Sequence, residues 1–298
     1  MSSTAVIYPI VAALMKAEEF IGPHRVWQSV NRTQAVFLSE FFASCRQESL
    51  SIAEIESIAS FSSGELNRFL RARGFRIELA PLQSGNDWKE VGIVSVLDLS
   101  VNWSSPGLEM KVRGQDGKVY PGVYLIFAES RFYRAAHHDY PIVQLSTTSS
   151  DRVYMTRLDS ALADFELLHK VQQLSDSCQP IDDYGEVIFP MVDLKQEVDI
   201  SWLVNLETTS AEGEPVKISH ALQETHLALD EEGARAKSAT AVIHKIGGVG
   251  VPKPLLVIDG PFLIWIERPG LMKPLFVGYI TEENWKKPEK QKEQPYID

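Results

Sequence analysis

The sequence predicts an α+β protein folded as one unit, with helices first and sheets afterwards. Two periodicities carry that prediction. In the first ninety residues apolar side chains recur every three or four positions, and from residue 91 onward they mostly alternate. A helical block followed by a strand block, with no strand–helix–strand repetition, excludes a parallel α/β array. The 298 residues, 44% hydrophobic and 23% charged, supply enough apolar surface for a substantial core.

The elements follow in chain order. The first twenty residues lack a basic leader region, and the apolar stretch 5–15 is broken by Pro9. They read as a buried segment and not as a signal peptide. No run nears the ~18 apolar residues that span a bilayer, so the expected location is the cytoplasm. Val36, Phe37, Phe41 and Phe42 fall at helical spacing, as do Ile52, Ile55, Ile58 and Phe61. Ser62 and Glu65 form a capping-box pattern before a helix through Leu66, Phe69 and Leu70, which Gly74 would end.

The texture changes after Asp87. Ile93, Ser95, Leu97, Leu99 and Val101 alternate with their neighbours, the signature of a strand. Asp116-Gly117 between two short strands is a hairpin turn. Further strands are predicted at 123–127, 141–145, 153–158, 187–191, 222–229, 255–258, 262–266 and 275–280. One helix, capped by Ser160, would bury Leu162, Phe165, Leu168 and Val171. From residue 282 the chain is rich in Lys, Glu and Pro and reads as a fraying tail. The expected organisation is a single domain, 1–298, with a mostly helical region over 1–90, sheets and loop in 91–281, and a flexible tail 282–298.

Composition narrows the function. With 40 acidic against 29 basic residues the net charge is −11, which opposes general affinity for nucleic acid or anionic membranes. Two short helical patterns over 51–77, followed by Arg68, Arg71, Arg73 and Arg76, form a remote nucleic-acid reading resembling a helix-turn-helix; an ordinary solvated face is favoured. Cys45 and Cys178 alone make neither a disulfide framework nor a metal site. His137-His138-Asp139 would point to alternate faces of a strand, and His220 and His226 stand six residues apart. No cofactor, metal or catalytic set is predicted, so the chain does not read as an enzyme.

Residues 230–254 join two predicted strands without a helix, a length usually reserved for function or disorder. Their phase decides between the two. Ala234, Ala236, Ser238, Thr240 and Val242 are small or β-branched and uncharged, while Arg235 and Lys237 fall on the alternate set. Such a segment can become a strand with one face over a core and the other in water. Gly247, Gly248 and Gly250 lack the Lys-Ser/Thr of a phosphate loop and read as loop flexibility.

Asp230-Glu231-Glu232-Gly233 and the small-residue run after it resemble the hinge of a serpin reactive-centre loop. Ile218-Ser219 and 223–229 are similar to the family's strand before that loop. Residues 259–266 with 275–278 are similar to its carboxy-terminal hairpin, 187–194 to its strand opening with Leu-Pro-Lys-Phe, and 94–103 to its central strand and breach tryptophan, here Trp103. The resemblance is specific over 186–281, weaker over 91–185 and absent before 91. It implies a central, mostly antiparallel sheet, a barrel-like C-terminal hairpin sheet and a reduced set of N-terminal helices.

It also implies a single-use inhibitor whose partner is a serine or cysteine protease. The hinge would comprise Glu231, Glu232 and Gly233, and Ala234, Ala236, Ser238 and Thr240 would face inward after insertion. Counting from either side places the scissile bond within Gly247, Gly248, Val249 and Gly250. Three positions depart from the family. Ser95 stands where Asn is usual and Gln223 where His is usual, the two residues that pair beneath the opening sheet, and Tyr279 stands where Arg is usual. These departures keep open an alternative, a non-inhibitory scaffold that binds a protein partner.

Overall fold

Residues 1–48, 52–73, 78–82, 88–125, 130–231 and 253–288 are described by the computed structural model. The chain opens with β1 (Ser3–Ala5) and α1 (Tyr8–Ile21), in which Pro9 sits in the first turn. An N–H is not needed there, so the proline starts the helix that the sequence pattern read as interrupted. In α2 (Arg32–Phe37) the cap residue Asn31 accepts from the Gln34 N–H at 2.9 Å, and a π turn (Leu38–Phe42) continues into α3 (Ala43–Cys45). Next come β2 (Ile55–Ser60), α4 (Ser63–Ala72) and β3 (Lys89–Ser100). A hairpin of β4 (Leu108–Arg113) and β5 (Val119–Leu125) turns at Gly117, whose φ of 80° suits glycine.

The meander β6 (Arg131–Ala135), β7 (Ile142–Ser146) and β8 (Arg152–Arg157) precedes α5 (Phe165–Ser177) and β9 (Cys178–Ile181). Four more strands lead to the long loop: β10 (Glu186–Pro190), β11 (Val192–Val198), β12 (Glu207–Thr209) and β13 (Pro215–Leu229). After it come β14 (Leu255–Val257), β15 (Phe262–Glu267) and β16 (Phe276–Ile280).

The strands form three sheets. One runs β1-β16-β15-β8-β7-β6-β9, a second β14-β10-β5-β4, and the third β11-β13-β3-β2 with β12 also on β13. The C-terminal hairpin therefore lies inside a seven-stranded sheet that, among the described residues, is not closed into a barrel. α1 packs against β2 and β3, and a main apolar core extends through the sheets and helices, with a smaller cluster under α4. The helix buries a charge, Glu18, whose carboxylate accepts from Trp27 Nε1 at 3.1 Å, from the His24 N–H at 2.9 Å and from the Arg46 guanidinium. A buried carboxylate is tolerable only when it is paired and bonded in this way.

Several expectations are corrected. Ile55 and Ile58 lie on strand β2, not a helix: Ile58 joins Leu66, Leu70, Val94 and Leu222 on one face, while Ile55 and Ala59 meet the main core on the other. Pairing with β3 overrides the helical spacing. The helix-turn-helix reading thereby loses its first helix. Arg73 lies over the Phe69 ring and pairs with Glu56, and Arg76 lies outside the described residues. The capping box also differs, because the Glu65 carboxylate accepts from Ser60 Oγ at 2.5 Å and Ser62 makes no side-chain cap. α5 begins five residues after Ser160, with Asp164 at its cap position. In the described part of the tail, Trp285 is 2% exposed and packs on Tyr120. Among the described residues no helix is long and apolar enough to cross a membrane.

Arg268, in the turn between β15 and β16, joins two sheets. Its guanidinium donates to Asp151 at 2.8 Å and to Glu54 at 2.6 and 2.9 Å, so the chain entering β2 is tied to the turn before β8. Asp151 is 6% exposed and would be left buried without its partner. Arg268→Met should therefore cost about 2–3 kcal/mol in denaturant unfolding. The hydrogen bonds from Arg268 hold the Glu54 carboxyl below its ordinary range. A carboxyl depressed in the folded state stabilises above its unfolded pKa, and that contribution is lost as pH falls through the folded value. The stability gap between wild type and Glu54→Gln should shrink on acidification, and a gap independent of pH would contradict the assignment.

Candidate functional site: the seam, its shutter and the root of the loop

β13 and β3 run parallel through twelve paired positions, from Val216↔Lys89 to Ala228↔Ser100, with a bulge at Ser219. On their outer sides β11 and β2 pair antiparallel. The seam is thus the only parallel junction of this sheet among the described residues. β13 is long because its alternation continues upstream of the predicted start: Val216 and Ile218 are buried before the bulge, and Gln223, Thr225, Leu227 and Leu229 after it. Glu224 and His226 lie on the opposite face, where His226 Nε2 and Glu224 Oε1 are 2.5 Å apart. Charge stays on the outward row and the inward row carries none.

Ser95 and Gln223 are partners in the seam's register, 1% and 0% exposed. The structure brings together the two residues that the family resemblance pairs, but it does not bond them to each other. Gln223 Nε2 donates to the Val6 carbonyl at 3.3 Å, just before α1. Ser95 Oγ, Gln223 Oε1 and Thr225 Oγ1 have no hydrogen-bond partner among the described residues. The Gln223 amide under the seam is held instead by the chain just before α1. Tyr279, where the family has Arg, is 4% exposed on β16, and burial pushes its hydroxyl pKa up.

At the end of the seam the loop root is held by two hydrogen bonds. Trp103, 3% exposed and edge-on to Phe189 at 5.6 Å, donates through Nε1 to the Asp230 carbonyl at 2.8 Å. The Gly107 N–H donates to the Glu231 carbonyl at 2.7 Å. A Cβ at Gly107 would stand 2.6 Å from Val123 and 2.9 Å from Leu125, so only glycine brings the backbone this close. Trp103 is itself placed by an isolated bridge to Thr147.

Trp103 is thus bonded to the root at Asp230, and Gly107 to the next residue, Glu231. Glu232, Gly233, Ala234, Ala236, Ser238 and Thr240, and the scissile candidates Gly247, Gly248, Val249 and Gly250, lie outside the described residues. Sequence reasoning missed Gly107 and Lys287, whose Nζ lies 3.5 Å from Glu231 Oε1. Neither carries a local signal, since one is a glycine after a proline and the other a lysine in a charged tail.

A family model described as Serpin (serine protease inhibitor) matches residues 194–282. Comparison with curated protein sequences finds no match. Among solved structures, the chain is similar to Serpin48, a highly specific serpin of the insect Tenebrio molitor, at 15% identity and TM-score 0.51, covering 92% of this chain and 96% of that one. It is similar to the thermophilic serpin tengpin in its native state at 12% identity and TM-score 0.59, covering 94% and 88%. Human thyroxine-binding globulin, complexed with its hormone, gives 12% identity and TM-score 0.53, covering 94% and 98%.

The geometry separates two substitutions. Trp103→Phe keeps the ring contact but removes the Nε1 hydrogen bond to the Asp230 carbonyl, and should lower stability by about 1 kcal/mol. Ser95→Ala removes a hydroxyl without a partner and should stay within about 0.5 kcal/mol of wild type. Urea unfolding of both variants measures the contrast, and an equal loss in the two would refute it.

Proposed function

From the serpin family match over residues 194–282 and the serpin-like fold we infer that this chain is a serpin-type, single-use protease inhibitor and not an enzyme. The parallel seam is the observation that supports this reading most. The segment after Glu231 leaves the end of β13, so if it folds back between β13 and β3 it runs antiparallel to both. One parallel junction is then exchanged for two antiparallel ones, which are slightly more stable per residue. Ala234, Ala236, Ser238, Thr240 and Val242 would take the inward row, where β13 already places uncharged side chains.

In this mechanism the protease's serine or cysteine attacks a carbonyl within 247–250. The peptide bond breaks, the amine of the new C-terminal fragment leaves, and the N-terminal fragment stays esterified to the protease. Insertion then competes with hydrolysis of that ester. Strand insertion moves the loop from an exposed state to a paired one and releases the strain stored in the uncut chain. Incubation with a panel of serine and cysteine proteases tests the reading: covalent complexes on a denaturing gel support it. Clean cleavage with every protease supports instead a partner-binding scaffold, the reading that the unbonded shutter and the thyroxine-binding neighbour favour.

Insertion has two measurable consequences. Nicking within 247–250 should raise the melting temperature, since each new ladder hydrogen bond contributes roughly 1 kcal/mol; an unchanged value after a verified single cut argues against insertion. Ala236→Glu places a charge on the inward row and should turn trapping into plain cleavage, whereas Ala239→Glu keeps its charge in water and should still trap. Equal effects in a trapping protein would remove any mechanical role for the alternation.

A further inference from the structure

The segment after β16 is fastened at three places. Near its start, Glu283 Oε1 accepts from the Ser2 N–H at 2.6 Å and Asn284 Oδ1 accepts from Ser2 Oγ at 2.6 Å. Trp285 is then buried against Tyr120 of β5 at 5.1 Å and Phe262 of β15 at 6.3 Å. Two residues on, Lys287 Nζ donates to Glu109 Oε2 of β4 at 2.6 Å and reaches Glu231 Oε1 at 3.5 Å. The side chain of Glu231 is only 21% exposed, and its backbone carbonyl is the one bonded by Gly107. The last residue before the loop is therefore held by its backbone from one side and by its carboxylate from the other.

We propose that residues 282–287 form a strap that holds the root of the loop, with Lys287 as its positioning residue. A buried tryptophan fixes where the lysine stands, and the lysine bridges β4 to Glu231. Departure of the root from Gly107 and Trp103 then requires the Lys287–Glu231 contact to break. The seam opens from this end in the proposed inhibitory cycle, so the strap would set how readily insertion begins. That bearing on insertion rests on the inhibitor reading, whereas the strap itself does not.

The test compares the intact full-length protein with Lys287→Ala, Lys287→Arg and Glu231→Gln by amide hydrogen exchange. For Lys287→Ala the Gly107 amide should exchange about two- to fivefold faster, with the Gly278 amide in β16 unchanged. Lys287→Arg should restore the wild-type rate. Glu231→Gln should match Lys287→Ala, and the double variant should be no faster than either, as expected for two residues that act through one contact. An unchanged Gly107 rate, or equal acceleration at Gly107 and Gly278, overturns the strap. With a protease that the wild type traps, Lys287→Ala should raise the ratio of trapped to cleaved protein; a lower ratio overturns the strap's bearing on insertion. If no protease is trapped, the inhibitor reading fails while the exchange rates still decide the strap.

Discussion

The parallel pairing of β3 with β13 is the constraint on which the rest of the structure depends. Each of these strands has an antiparallel neighbour on its other side, so the seam is where the sheet changes sense. A chain that leaves β13 and reverses is correctly oriented to pair with both strands at once. The inward row is already uncharged, and α1 lies beneath it with Val6 receiving the Gln223 amide. Register matters as much as direction, because a slip of one residue would carry Glu224 and His226 to the core side.

Side-chain bonds between Ser95 and Gln223 do not keep this seam closed. Those residues face each other and remain unbonded, with one orphaned oxygen on each. The bonds that bear on the seam lie at its ends and edges. Trp103 and Gly107 hold the backbone of Asp230 and Glu231, and Lys287 holds the Glu231 carboxylate. At the far edge of the sheet, Arg268 ties the start of β2 to the turn before β8 and so steadies the strand beside β3. Across the seam itself, beside the backbone ladder, the Lys217–Glu90 ion pair at 3.3 Å joins the two strands near the end opposite the loop root.

The sheets were legible in the chain wherever alternation was long and one face was buried, as in β3, β13, β15 and β16. Period two leaves one residue type for each face, and burial then selects the register. The Asp116-Gly117 turn was legible because few residues accept a positive φ. Trp103 was placed near the loop root through its resemblance to the family's breach tryptophan, and its indole bonds the Asp230 carbonyl. The first ninety residues were read less well. Ile55 and Ile58 fit a helical spacing and a strand equally over so few residues, and only the partner strand β3 decides between them.

By itself, then, the sequence determined the α+β class, the central strands, the hairpin and the alternation of small and charged residues after Glu231. Each follows from the local periodicity of side chains along one backbone. Tertiary structure decided the parallel sense of the seam, the unbonded meeting of Ser95 and Gln223, the clamp from Arg268 to Asp151 and Glu54, and the anchoring of the tail through Trp285 and Lys287. These contacts join residues tens to hundreds of positions apart, and a one-dimensional pattern does not encode which distant groups will meet.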